Sequence, residues 1–89
     1  MVYLITYDLN KEDKDYNSLY LALRQYDHTR DSELDSVWFI STALSPNQIY
    51  EHLRHQLDVN DRIIVSQMFV GAHQGWMNND VWAWINARL

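Results

Sequence analysis

The sequence predicts a single small α+β domain in which helices cover one face of an antiparallel sheet. The elements follow one another through short loops, in the order strand, helix, weak strand, strand, helix, strand, helix. No internal repeat or linker divides the 89 residues, a length typical of one domain. With 47% hydrophobic residues, two glycines and one proline, the composition is that of a chain that folds.

The first strand is predicted over residues 2 to 7, where β-forming residues occupy both faces. It ends at Asp8, and the charged residues that follow predict a solvated loop. A helix comes next, capped by either Asp13 or Asp15 and ending near Tyr26. Its predicted buried face consists of residues at helical spacing: Tyr16, Leu19, Tyr20, Leu23 and Tyr26.

Residues 27 to 35 are polar and predict only a short edge strand or a long turn. A strong strand pattern returns at residues 36 to 44. The next helix has the clearest start in the chain, with Ser45 at the N-cap, Pro46 at the first helical position and Gln48 three residues after Ser45. Its buried face is predicted from a spacing of four residues: Ile49, Leu53 and Leu57.

The last sheet strand is predicted at residues 62 to 69 and is apolar on both faces. Both glycines of the chain, Gly71 and Gly75, follow it and predict a turned connection. A closing helix is predicted at residues 81 to 88. Its cap is one of three adjacent residues: Asn78, Asn79 or Asp80.

This order of elements fits an α+β, ferredoxin-like split βαβ sandwich, βαββαβ with a short second strand. Residues 70 to 89 add a C-terminal helix to this single domain of residues 1 to 89. Both main helices then cover the same sheet face. Because the strands are apolar on both faces, we expect the second face to pack against the C-terminal helix, a second copy of the chain, or both. Symmetric homodimers are the commonest assembly of small chains.

Charge and composition exclude several functional classes. Twelve acidic against seven basic residues give a net charge of −5, which argues against general attraction to nucleic acid. Residues 1 to 35 hold eight of the acidic and four of the basic residues. The chain has no cysteine, which excludes disulfides and thiolate sites. Since it shows neither a membrane span nor a signal peptide, we expect a cytoplasmic protein.

Asp8 is the leading candidate for chemistry because it lies at the carboxyl end of an apolar strand. It either begins a turn, which is the common role, or meets its copy in a two-fold dimer and holds a cation such as Mg²⁺. His52 and His55 lie one helical turn apart, but without a third ligand a solvated helix face is the favoured interpretation. Trp76 and Trp82 are candidates for an exposed or interface anchor.

Three segments resemble the CRISPR-associated protein 2 superfamily, whose members are small ferredoxin-like homodimers. They are residues 3 to 8 (YLITYD), 35 to 39 (DSVWF) and 57 to 65 (LDVNDRIIV). In that family a Tyr-Asp pair ends the first strand, a Ser-Val-aromatic strand follows the first helix, and an Asp-x-x-Asp turn precedes the last sheet strand. The start of the chain, with residues 75 to 76 and 81 to 85 (VWAWI), is similar to small bacterial and phage proteins called SinR-like, whose role is undefined.

The resemblance implies a homodimer in which Asp8 binds Mg²⁺ and acts in a weak or vestigial metal-dependent endonuclease. It also makes Lys11, Lys14 and Arg30 the candidates for binding nucleic acid, a partner that the acidity disfavours. The alternative is a non-catalytic interaction module of mobile-element origin, which binds another protein through acidic loops and an exposed tryptophan. A toxin-like ribonuclease is a third interpretation, with no additional residue pointing to it.

Overall fold

Four strands form one antiparallel sheet, which a computed structural model describes together with the rest of residues 1 to 89. The strands are β1 (Val2–Asp8), β2 (Asp27–Thr29), β3 (Val37–Ser41) and β4 (Arg62–Met68). Their order across the sheet is β2-β3-β1-β4, so β1 is central and β2 and β4 are the two edges. All seven residues of β1 pair with β4, from Val2 opposite Met68 to Asp8 opposite Arg62.

Two helices lie between the strands and a third follows them. α1 (Asn17–Arg24) connects β1 to β2, and α2 (Pro46–Leu53) connects β3 to β4 through a 3-10 turn at Arg54–Gln56. α3 (Asn79–Arg88) follows β4. The structure thus confirms a small α+β domain with a four-stranded antiparallel sheet and three helices, and it is compatible with a ferredoxin-like fold. None of the helices has the length and apolar character needed to cross a membrane.

The first face of the sheet packs against α1 and α2. Alternate residues of β1 point to this face, as the period of a strand requires. They meet the apolar stripes of the two helices, and the side chains from all three elements are buried. The main core consists of Tyr3, Ile5 and Tyr7 from β1, Leu19, Ala22 and Leu23 from α1, Trp38 and Ile40 from β3, and Ile49 and Leu53 from α2, with Tyr16 beside them.

The predicted start of α2 is confirmed. Ser45 Oγ accepts a hydrogen bond from the Gln48 amide at 3.1 Å, and Gln48 Oε1 accepts one from the Ser45 amide at 2.9 Å. Pro46 occupies the first helical position, where its missing N–H would have had no partner in the helix. The helix therefore begins where four adjacent residues specify it.

The predicted bounds of α1 were too wide. The N-cap position belongs to Tyr16, and Asp15 lies one residue earlier, where its carboxylate accepts a hydrogen bond from the Asn17 amide at 2.9 Å. The helix ends at Arg24, and Tyr26 lies beyond it. The physical reason is the edge strand that begins at Asp27, because the chain must leave the helix before it can pair with β3.

The second face of the sheet is covered by the C-terminal extension of the same chain. Phe39 of β3 forms a smaller core with Val81 and Ile85 of α3. Partly buried apolar side chains surround this core: Leu4, Val37, Met68, Met77, Trp82 and Trp84. The C-terminal helix, one of the covers expected for this face, therefore packs on it.

Two carboxylates, one on the first residue of β2 and one just after the strand, hold the ends of α3. The buried Asp31 carboxylate accepts a hydrogen bond from the Asn78 amide at 2.7 Å, although the side chain of Asn78 itself caps nothing. At the other end, Arg88 pairs with Asp27 at 2.7 Å. The Asn78 amide lowers the pKa of the Asp31 carboxyl, and the Arg88 guanidinium lowers that of Asp27. Both carboxylates thus act while they are ionised.

Candidate functional site

Asp8 lies at the carboxyl end of β1, on the part of the second sheet face that α3 leaves open. Its side chain is exposed, and its neighbour across the sheet is Arg62 of β4. The amide nitrogen Nδ2 of Asn10 donates to Asp8 Oδ2 at 3.2 Å. None of the ion pairs of the chain involves Asp8, so no Lys or Arg nitrogen lies within 4.0 Å of its carboxylate.

The surface beside Asp8 is a shallow hollow of about 300 Å³. Its walls come from the ends of two neighbouring strands: Thr6, Tyr7 and Asp8 of β1, and Arg62, Ile63 and Ile64 of β4. One carboxylate and one guanidinium are its only charged groups. Water enters freely, so the hollow can admit a hydrated ion or a polar group but does not enclose it.

The buried carboxylate of this region is Asp61, which ends the turn before β4. Its Oδ1 accepts a hydrogen bond from the Asn10 amide at 2.7 Å, and its Oδ2 accepts one from the Asp58 amide at 2.7 Å. The Tyr16 hydroxyl donates to both oxygens, at 2.7 and 2.8 Å. Asp61 with these three donors forms the Asp61 hub, which joins the loop before α1 to the turn before β4.

The hub needs Asp61 to be charged. Burial raises the pKa of the Asp61 carboxyl, but the amides of Asn10 and Asp58 and the Tyr16 hydroxyl outweigh burial, and the pKa lies below its ordinary value. Burial and the neighbouring carboxylate raise the pKa of the Tyr16 hydroxyl, which therefore stays protonated as a donor. These groups fix the backbone behind Asp8, while Asp8 itself remains accessible.

The lysines predicted to bind nucleic acid lie in the loop between β1 and α1. Lys11 Nζ lies 3.4 Å from the carboxylate of Asp58. Lys14 Nζ donates to the backbone oxygen of Gln56 at 2.9 Å and lies 5.0 Å from the ring centre of Tyr16. Both amines thus connect the loop between β1 and α1 to the segment that precedes β4, through Asp58 and Gln56.

Arg30, the third predicted nucleic-acid contact, immediately follows β2. Its guanidinium lies 4.5 Å from the ring centre of Trp38 and donates to the backbone oxygen of Asp35 at 2.6 Å. The Trp38 ring is stacked on Tyr20, and its Nε1 donates to the Tyr7 hydroxyl at 3.0 Å. Trp38 is only 1% exposed, so it packs in the core and offers no open face to a base.

Trp76 and Trp82, the predicted interface residues, lie near each other but differ in exposure. Trp76 is 97% exposed, more than any other large apolar side chain of the chain. Trp82 is half-buried, and its ring is stacked on His73 with ring centres 5.9 Å apart. Both line an apolar hollow of about 210 Å³ between the extension and the second sheet face, beside Phe39 and Met68.

The histidines of α2 and its 3-10 turn are exposed, as the helix-face interpretation expects. His52 Nδ1 shares a hydrogen bond of 2.7 Å with the Tyr26 hydroxyl, which ties α2 to the end of α1. No group of three or more His, Asp or Glu side chains in the structure is placed to hold a metal ion.

Sequence patterns did not identify the Asp61 hub, although the family resemblance implies an Asp-x-x-Asp turn before the last sheet strand and the Asp61 amide donates to the Asp58 backbone oxygen at 3.0 Å. The available signal was an aspartate placed immediately before an apolar strand.

In comparisons with known proteins, the chain matches no family model, no curated protein and no solved structure.

Proposed function

We propose that this chain is a protein-interaction module that works without catalysis. The observation that carries the proposal is Trp76, whose side chain is 97% exposed at the rim of an apolar hollow. Tryptophan is the residue type most enriched among side chains that dominate binding energy, and it is rarely left in water. An indole in this position supplies a large apolar contact that an incoming protein surface can bury.

The charges around the molecule support a protein as the ligand. A net charge of −5 repels phosphate, while the two predicted lysine contacts are engaged within the chain. The hollow beside Trp76 is lined by no acidic residue, so the anchor itself is apolar, and the net negative charge of the whole chain suits a partner of net positive charge. The ferredoxin-like assignment belongs to the same proposal, and the sheet order with α1 and α2 on one face supports it. The resemblance to small bacterial and phage proteins supports an origin in mobile elements.

A metal-dependent endonuclease is the second candidate, and Asp8 favours it. Its carboxylate is exposed, unpaired with any cation and next to a hollow on the open part of the sheet. Mg²⁺ prefers oxygen ligands and is commonly held by one or two carboxylates and several waters. Since the chain offers one carboxylate there, the second would come from Asp8 of another copy in a homodimer. Mg²⁺ would then activate water for cleavage of a phosphodiester.

Site-specific cross-linking tests the interaction module. A photo-reactive benzoylphenylalanine replaces Trp76, or replaces Leu21 on α1 as a control that is 58% exposed. We expect a distinct polypeptide from the cells that produce the protein to be captured from position 76 alone. The captured polypeptide is then purified and titrated, and Trp76→Ala should raise its Kd at least about tenfold while Leu21→Ala leaves it unchanged. Equal Kd values for the two variants would contradict the proposal.

A cleavage assay tests the second candidate. Wild type, Asp8→Ala and Asp13→Ala are incubated with Mg²⁺ or Mn²⁺ and with single-stranded RNA, duplex RNA or duplex DNA. Asp13 is exposed in the same acidic loop region, which makes it the matched control for the loss of one charge. The nuclease predicts cleavage by wild type and Asp13→Ala and none by Asp8→Ala. Equal background turnover by all three proteins would end that candidate.

A further inference from the structure

The two edges of the sheet are protected to different degrees. β2 is three residues long, and Arg88 of α3 pairs with Asp27 at its start. β4 is seven residues long, contains no proline or lysine, and has Arg62 as its only charged residue. Folded proteins usually shorten, charge or cover an edge strand, because its free N–H and C=O groups pair readily with another chain. Of these protections β4 has only the single charge of Arg62, at its first residue.

Exposed apolar side chains concentrate along the same edge. Ile64 in the middle of β4 is 58% exposed, and Phe69 and Val70, which continue the chain beyond it, are 57% and 80% exposed. A hollow of about 470 Å³ at the start of β4 contains the apolar side chains of Tyr50 and Val59 beside charged ones such as Arg54 and Asp58, and a mostly apolar hollow of about 300 Å³ lies at the end of β4. An open strand edge with exposed apolar side chains beside it favours a partner that supplies another strand.

We propose that β4 pairs antiparallel with β4 of a second copy of this chain, so that two four-stranded sheets form one sheet of eight strands. A two-fold axis at Val65, the middle of β4, gives overlap along the whole strand. This proposal rests on the proposed function only in taking the chain to act by binding protein. The partner at the β4 edge is a second copy of the chain, and Trp76 remains available to bind a different protein.

The sequence of β4 is complementary to itself in this register. Ile64 lies opposite the partner's Ser66, and Arg62 lies opposite the partner's Met68, so no two like charges meet across the pair. Each copy supplies an edge of the same length and the same twist. These features favour a second copy over an unrelated peptide, which would have to match both length and pattern.

This dimer has a geometric consequence for Asp8. Arg62 lies three residues along β4 from the proposed axis at Val65. Asp8 pairs with Arg62 from β1, the next strand, so Asp8 is one strand spacing further from the axis than Arg62 is. With a rise of about 3.4 Å per residue and strands about 4.8 Å apart, the two Asp8 Cα atoms are roughly 25 Å apart. The edge dimer therefore cannot bring the two carboxylates to one Mg²⁺, which would require a different assembly.

Charge-swapped variants test the edge pairing. Ile64 and Ser66 are both exposed and lie opposite each other across the proposed axis. The double variant Ile64→Glu/Ser66→Glu opposes like charges twice in its own dimer, as does Ile64→Lys/Ser66→Lys. Wild type, each variant and an equal mixture of the two variants are measured by sedimentation at high micromolar concentration, with circular dichroism as the check on folding.

We expect a wild-type dimer, a dimer Kd at least about tenfold higher for each variant alone, and a restored heterodimer in the mixture. A monomeric wild type, or variants that dimerise as well as wild type, would overturn the edge pairing. Either result leaves the cross-linking at position 76 unaffected, so failure of this proposal is distinguishable from failure of the interaction module. Trp76→Ala should remain a dimer, and its conversion to a monomer would also overturn the assignment to β4.

Discussion

Replacing Asp61 with asparagine should strongly destabilise the protein. The Asp61 carboxylate accepts hydrogen bonds from the Asn10 amide, the Asp58 amide and the Tyr16 hydroxyl. Asparagine has one acceptor oxygen, and its NH₂ group would face one of the two backbone amides. That amide would lose its acceptor inside a buried cluster, and the remaining hydrogen bonds would become neutral.

The magnitude follows from these losses. A buried donor without an acceptor costs about 1–3 kcal/mol, and a hydrogen bond to a charged group contributes about 1 kcal/mol more than a neutral one. Asp61→Asn should therefore lower the free energy of unfolding by about 2–4 kcal/mol. For a domain of this size, each kcal/mol corresponds to a change in Tm of about 4–8 °C. The expected fall in Tm is at least about 8 °C.

Urea unfolding at neutral pH, followed by circular dichroism, measures this loss. Asp8→Asn is the matched control, because it makes the same chemical change at an exposed carboxylate and should stay within about 0.5 kcal/mol of wild type. If Asp61→Asn were as stable as Asp8→Asn, the Asp61 hub would not hold the two loops together, and the reasoning would be refuted.

The same hub predicts how stability depends on pH. The folded-state pKa of Asp61 lies below its ordinary value, as do those of Asp31 and Asp27. The unfolded chain, with aspartate pKa values near 3.9, therefore takes up protons first as the pH falls. The stability that these carboxylates contribute is complete above about pH 5 and is lost as the pH falls through the folded-state pKa values. When thermal unfolding is measured from pH 7 to pH 3, the Tm of Asp61→Asn should fall less than the Tm of wild type.

Further substitutions test the helices and the turn after β4, each by urea unfolding. Ser45→Ala should cost about 1 kcal/mol through loss of the α2 cap, whereas Ser18→Ala, on the exposed side of α1, should change little. Ile85→Ala, at a fully buried residue of α3, should cost about 2–5 kcal/mol, and a loss below 1 kcal/mol would contradict its place in the second core. Gly71→Ala should cost about 1 kcal/mol because its φ is +76°, and Gly75→Ala should be tolerated, since the added Cβ would lie 3.9 Å from Trp82.

The parts of the fold that the sequence predicted are those specified by neighbouring residues. The capping box at Ser45 and Gln48 needs only four adjacent positions, and alternating strands need only their own period of two. The end of α1 at Arg24 could not be predicted from the residues next to it. It depends on where β2 begins, and β2 exists because Asp27 to Thr29 can pair with β3.

The same distinction applies to the candidate site. Asp8 was predicted as a candidate because it follows an apolar strand directly. The role of Asp61 was not found, because two of its donors, Asn10 and Tyr16, lie 51 and 45 residues away in the chain. The exposure of Trp76 also depends on how the extension crosses the sheet. A pattern of residue types predicts which side chains are apolar, but only the packed structure shows which of them remain in water.

The central position of β1 has a consequence for how the chain folds as it is made. β1 is synthesised first, yet both of its neighbours in the sheet, β3 and β4, come much later in the chain. Its pairing with β4 joins residues up to 66 positions apart, from Val2 to Met68. Pairing over such separations is slow, because the intervening loop must close before the contacts form. During synthesis β1 can therefore pair on one side with β3 once residue 41 has emerged, but its other side stays open until β4 has been made, so the sheet is completed only near the end of synthesis.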